Sequence, residues 1–144
     1  MIARLALIFG MVAFSAVAQN NPIADRMAKF SEAYNAGDSS AVAEFYTEDG
    51  AVLPPNGAAV LGRKGIAELY RSAFGNGVKD LRYEILEVRQ LGPDAVVEIG
   101  IGSIAIGGQR LRSRSMHVWR LNGEVWYLSR DMYQGTSENA FGLW

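Results

Sequence analysis

Residues 81–133 read LRYEILEVRQLGPDAVVEIGIGSIAIGGQRLRSRSMHVWRLNGEVWYLSRDMY, and this stretch decides the fold. It consists of extended runs separated by turn signals. Leu81 to Leu91 stops at Gly92-Pro93-Asp94, Ala95 to Ile106 at Gly107-Gly108, and Arg110 to Leu121 at Asn122-Gly123; Val125 to Tyr133 is the last run. Segments rich in β-branched and aromatic residues and bounded by Gly, Pro, Asn and Asp are strand signals, and Asn-Gly is the residue pair a two-residue hairpin demands. The C-terminal half is therefore expected to be a long antiparallel meander.

Working outward from it, the preceding residues change period. Ile23, Met27, Phe30 and Tyr34 recur at i, i+4, i+7 and i+11, one apolar face of a helix opened by Asn20-Asn21-Pro22. Asn35-Ala36-Gly37-Asp38 closes that helix, and Asp38 or Ser39 caps a short second one, about Ser40 to Tyr46, with Ala41, Val42, Phe45 and Tyr46 inward. A brief strand, Ala51-Val52-Leu53, is stopped by Pro54-Pro55; Asn56-Gly57 turns the chain, and Ala59-Val60-Leu61 returns. From about Lys64, Ile66, Leu69, Tyr70, Ala73 and Phe74 mark a third helix. Helices first and an antiparallel sheet second argue an α+β fold, with the helices packed on one face of a curved sheet.

The N-terminus sets the compartment. Arg4 precedes an uncharged apolar run, Leu5 to Val17, and Ala16-Val17-Ala18 has the small-x-small pattern of a signal-peptidase site. The run is shorter than the ~20 residues a membrane span needs. Residues 1–18 are thus expected to be a signal peptide, the mature chain to start at Gln19, and the protein to be periplasmic or secreted. With no cysteine in the chain, lipid attachment, disulfides and thiolate-based zinc are excluded. Residues 19–144 suffice for one domain with its own core. Arg4 is the only charge in the leader, so 13 of the 14 basic residues face 15 acidic ones in the mature chain, a net −2. Such a domain has no general field for nucleic acid or anionic lipid. Neither nucleic acid nor, after cleavage of the leader, a membrane is expected as partner.

Several motifs together resemble the nuclear transport factor 2-like superfamily, especially its SnoaL-like and ketosteroid-isomerase-like bacterial members. They are Phe30-Ser-Glu-Ala-Tyr-Asn-Ala-Gly-Asp38, Phe45-Tyr-Thr-Glu-Asp-Gly-Ala-Val-Leu-Pro54, Gly62-Arg-Lys-Gly-Ile66 and the closing Gly123-Glu-Val-Trp-Tyr-Leu-Ser-Arg-Asp131. The resemblance implies a cone-shaped α+β barrel of three N-terminal helices on a curved, mainly antiparallel sheet. It carries little about activity, because the superfold hosts isomerases, hydrolases, cyclases and binding modules. Steroid isomerases of this kind use a carboxylate base after the first strand, a tyrosine on the first helix and a protonated acid on a late strand. Here Ala51 to Gly57 has no acid, Phe30 stands at the tyrosine position with Tyr34 one turn later, and His117 stands at the late-strand position. Isomerase chemistry in that form is not expected.

The strand around His117 separates into two faces. Arg110, Arg112, Arg114, Met116, Val118 and Arg120 form a basic stripe suited to solvent, to a dimer contact or, since alternate arginines can clamp a phosphate or carboxylate, to an anion. Leu111, Ser113, Ser115, His117, Trp119 and Leu121 form a mixed face suited to a pocket wall. His117, the only histidine, is either a hydrogen-bonded wall residue or an acid/base group. Two phasings of the last strand are open. In one, Trp126, Leu128, Arg130 and Met132 face the helices and bring Arg130 beside His117. In the other, Tyr127, Ser129, Asp131 and Tyr133 do, and a buried Asp131 becomes a candidate acid or base, as the resemblance to cyclases and epoxide hydrolases of this superfold implies. A bulge would switch between them. Tyr34, Tyr46 and Tyr70 belong to the core, with hydroxyls that can mark a pocket's polar edge. Gly100-Ile101-Gly102 lies mid-strand with no helix after it, so it is no phosphate loop and instead lets another element approach. The tail, Gly135 to Trp144, is open between docking on the cone mouth or a partner subunit and disorder.

These residues support a small-ligand-binding cone, with Tyr34, Tyr46, Tyr70, Ser115, Trp119, Trp126 and Arg130 as candidate ligand contacts. An alternative is a SnoaL-like or isomerase-like enzyme using His117 or Asp131 in proton transfer on a small organic substrate. A third is an interaction module, since Val96 to Ile106 is apolar on both faces and suits a homodimer formed through the sheet. No cofactor and no metal are expected.

Overall fold

The computed structural model describes residues 21–136; the leader expected over residues 1–18, and the tail beyond 136, lie outside that range. The elements follow as α1 (Pro22–Asn35), α2 (Ser39–Ala43), β1 (Tyr46–Leu53), β2 (Val60–Leu61), α3 (Gly62–Gly75), β3 (Lys79–Gly92), β4 (Ala95–Ile106), β5 (Gln109–Asn122) and β6 (Val125–Gly135). The fold is α+β, a curved six-stranded sheet in the order β2-β1-β6-β5-β4-β3. Every neighbouring pair is antiparallel except β1 with β6, which run parallel.

Local chemistry sets the helix ends. Asn21 caps α1 by accepting from the N–H groups of Ile23 and Ala24, and Pro22 occupies the first turn, where no N–H is needed. Asp38 caps α2 by accepting from Ala41 N–H. The expected run of α2 to Tyr46 is too long: the helix stops at Ala43 because the Phe45 carbonyl accepts from Leu128 N–H of β6, so Tyr46 opens β1. The third helix starts two residues early, at Gly62, whose φ of +71° lets the chain turn straight from β2 into α3.

The helices cover the concave face. Ile23, Met27, Phe30 and Tyr34 of α1 are buried, as the spacing predicts, with Val42 and Ala43 of α2 and Ile66 of α3. Beneath them lie Tyr46, Val52, Val96, Trp119 and Leu128 from the sheet. Phe30, Tyr34, Tyr46, Tyr70 and Phe74 make a chain of edge-on and tilted ring contacts with centroids 5.0–6.4 Å apart.

Besides three register shifts between β3 and β4, two irregularities involve β6, where the sheet forms the cavity floor. On β6, Trp119 pairs with Leu128 but its neighbour Val118 pairs with Arg130, so Ser129 is an extra residue. On β1, Tyr46 pairs with Leu128 and Ala51 with Arg130, so residues 47–50 form a bulge opposite Ser129. A strand alternates faces with period two, and one inserted residue exchanges them from that point on. Trp126 and Leu128 face the helices before the bulge; Asp131 and Tyr133 do so after it.

Candidate functional site

The site begins with the bulge at Ser129. Both phasings of the last strand exist, one on each side of it. Asp131 is turned inward and is 5% exposed, whereas Arg130 is turned outward and solvated. The expectation that Arg130 joins His117 on the cavity wall is therefore corrected. Its guanidinium donates to the backbone carbonyls of Asp49 and Ser129 on the outer side.

On β5 the two faces separate as the alternation predicts: Ser115, His117 and Trp119 are buried, while Met116 and Arg120 are exposed. Register then fixes what His117 meets. It pairs with Glu98 of β4 on one side and with Asp131 of β6 on the other. Its Nδ1 lies 2.7 Å from Glu98 Oε2, and its Nε2 lies 3.3 Å from Asp131 Oδ1. Both ring nitrogens thus face carboxylate oxygens, which accept and do not donate when ionised, so the ring is held as an imidazolium. Desolvation opposes that charge most strongly, but Asp131 and Glu98 together outweigh it and raise the His117 pKa to about 10. Desolvation likewise acts to raise the Asp131 pKa. The adjacent imidazolium and the tyrosine hydroxyls prevail and hold it below its ordinary value.

The network extends in both directions. The Tyr46 hydroxyl donates to Asp131 Oδ2 at 2.6 Å, leaving its oxygen to accept from the Tyr70 hydroxyl at 2.8 Å. Glu98, with no exposed surface, accepts from Tyr83 at 2.7 Å and from the Trp119 indole N–H at 3.2 Å, besides His117. Sequence reasoning missed both Glu98 and Tyr83. The available signal was Glu98 itself, a lone acid on the same alternating face as Val96 and Gly100, one strand from His117. Tyr83 reaches across because Gly100 has no side chain: a Cβ there would lie 2.4 Å from the Tyr83 hydroxyl oxygen. The approach expected at Gly100-Ile101-Gly102 is made by a side chain, which stacks on the His117 ring with centroids 5.6 Å apart.

Above this floor opens a cavity of about 360 Å³. Phe30, Tyr34, Leu69, Tyr70 and Ile104 supply apolar walls, while Ser115, His117, Asp131 and Tyr133 reach its polar side. Among the sequence candidates, Tyr34, Tyr70 and Ser115 line the space. Tyr46 and Trp119 are fully buried beneath it and act through Asp131 and Glu98, and Trp126 packs in the core. Burial, the neighbouring Tyr133 and the Asp131 charge push the Tyr34 hydroxyl pKa up to about 12, so it remains protonated. Among the described residues, no group of three or more His, Asp and Glu side chains is arranged to hold a metal ion.

Comparison with known proteins places this geometry. The family model of the SnoaL-like domain matches residues 27–128. A ketosteroid isomerase-like protein from Erwinia carotovora atroseptica SCRI1043 is 26% identical, with a TM-score of 0.71, covering 81% of this chain and 95% of that one. A domain of unknown function with a cystatin-like fold from Nostoc punctiforme superposes with a TM-score of 0.73 at 19% identity, covering 85% and 80%. An NTF-2 like protein of unknown function from Shewanella oneidensis MR-1 does so at 0.69 and 19%, covering 78% and 95%. No curated protein matches the chain. With the family model spanning most of the chain, and with neighbours that share the curved sheet and its helical cover, the protein belongs to the SnoaL-like domain family of the nuclear transport factor 2-like fold.

Proposed function

We propose that this domain is an exported small-molecule-binding protein that holds a largely apolar ligand in the cone, without a matched acid and base for turnover. One observation carries the reading: both nitrogens of the only histidine are engaged by buried carboxylates, beneath an aromatic cavity of about 360 Å³. A general acid or base works best with its pKa near the operating pH and with its reacting atom facing the substrate. His117 meets neither condition. What the floor presents to a ligand is the Asp131 carboxylate and neutral tyrosine hydroxyls, a set suited to orienting a bound molecule.

A second reading has its own support. Asp131 reaches the cavity and is linked through Tyr46 to Tyr70, so a carboxylate and a tyrosine border the same space, as proton transfer on a small organic substrate requires. Homodimer formation through the sheet is also proposed. Leu53, Met116 and Met132 are exposed on the outer face around a groove of about 560 Å³.

The test uses indole as a neutral apolar probe with the mature protein, followed by NMR. The binding reading expects perturbation of resonances from Tyr34, Tyr70 and His117, and expects His117→Ala to retain some affinity. Unmoved cavity resonances at millimolar indole refute the pocket. A substrate whose turnover, but not binding, is lost in Asp131→Asn decides for the enzyme. Light scattering that shows a monomer at micromolar concentration removes the dimer, and a mass corresponding to a Gln19 start checks export.

A further inference from the structure

The floor of the cone has an unbalanced charge. Glu98 and Asp131 set two carboxylates against the single imidazolium of His117, leaving one net negative charge where water is largely excluded. Among the described residues of the cavity wall the one basic side chain is Arg112, at the solvent-exposed end. A buried charge without a full counter-charge is costly, and a cation entering the cavity supplies one. Asp131 is the carboxylate on the lining, while Glu98 is shut behind His117 by its bonds to Tyr83 and Trp119.

A second feature points the same way. Tyr34 is only 8% exposed and lines the cavity, and its hydroxyl stays protonated and neutral. A neutral hydroxyl oxygen on the cavity wall can accept from a ligand's donor. Phe30, Tyr34 and Tyr70 surround the same space with rings set edge to face, Phe30 to Tyr70 at 6.2 Å and Tyr34 to Tyr70 at 5.7 Å. Aromatic faces attract cations, more strongly where water is absent. An alcohol would satisfy the hydrogen bonds and leave the charge uncompensated; a carboxylate would meet a like charge.

We propose that the cone selects a small organic amine with an aromatic or alicyclic body, its ammonium group against Asp131 with the Tyr34 hydroxyl as a second acceptor. The proposal rests on the pocket reading above and adds the chemical class of the ligand. Three molecules of nearly one shape test it: tryptamine, tryptophol and indole-3-acetate, which carry an ammonium, a hydroxyl and a carboxylate on the same ring. Binding is followed by NMR and calorimetry at pH 7. Tryptamine is expected to bind about tenfold or more tighter than tryptophol, the scale of a desolvated cation against ring faces and a carboxylate, with indole-3-acetate the weakest. In Asp131→Asn the tryptamine preference collapses while tryptophol still binds; if that variant does not fold, the wild-type ranking alone decides. Equal binding of tryptamine and tryptophol, or a preference for indole-3-acetate, overturns the amine proposal and leaves the pocket standing. If none of the three binds at millimolar concentration, pocket and proposal fall together.

Discussion

The cone has two ends made by the same strands, and they are built on opposite terms. At the closed end Leu128 of β6, Trp119 of β5 and Val96 of β4 pack with Ile23, Val42 and Ile66. Almost every atom there is apolar, and burial alone stabilises it, at about 25 cal/mol per Å² removed from water. Three residues farther along β6, and two and four back along β5, the inward positions are Asp131, His117 and Ser115, with Glu98 behind. Here burial is unfavourable unless every charged group is hydrogen-bonded, and each one is, although two carboxylates share a single imidazolium and one negative charge is left over. The difference teaches how the cavity is made: one extra residue, Ser129, converts a core strand into a cavity floor without changing the strand order.

The largest effect that can break this contrast is removal of a floor charge. Glu98→Ala leaves His117 half-partnered and strands the Tyr83 and Trp119 donors, so denaturant unfolding is expected to show a loss of about 3–5 kcal/mol. A loss under about 1 kcal/mol would mean that the floor is solvated and the contrast false. At the closed end Leu128→Ala removes only packing, and about 3 kcal/mol is expected. Its cavity resonances and probe binding should be retained, a separation that sharpens the comparison.

Smaller effects probe how the floor is assembled. Gly100→Ala places a methyl group on the Tyr83 hydroxyl, so Tyr83 must leave Glu98. About 1–3 kcal/mol of destabilisation is expected, with a shift of the His117 ring resonances as its stacked partner departs. Unchanged ring shifts would show that Tyr83 is not part of the network. On the far side of the bulge Arg130→Ala should change stability by no more than about 0.5 kcal/mol and leave ligand binding untouched, because Arg130 faces solvent. A strong loss of binding would restore it to the cavity wall.

These outcomes mark what the sequence could carry. Helix faces were legible from period: Ile23, Met27, Phe30 and Tyr34 are buried as their spacing predicts. The inward face of β5 was legible from alternation, because no irregularity interrupts its pairing with β4. Arg130 and Asp131 were not, since alternation fails at a bulge and nothing in Ser129 announces one. Glu98 was overlooked for a related reason. A carboxylate in an apolar strand reads as a solvent-facing break until register places it opposite His117. Tyr83 escaped because its reach depends on the missing side chain of a glycine one strand away.

The central claim, that His117 is an imidazolium locked between two carboxylates, is open to one direct measurement, the pH titration of its ring by NMR. The chain has a single histidine, so the signal is unambiguous. The folded pKa of about 10 exceeds the ~6.5 of an unfolded histidine. The pair's contribution to stability is therefore complete below pH ~6.5 and is lost as pH rises through about 10, a fall of about 1.4 kcal/mol per pH unit across that window. The account predicts that both ring nitrogens carry protons at pH 7.5, with the titration midpoint near 10. A midpoint near 6.5, with one nitrogen bare at pH 7.5, would contradict it.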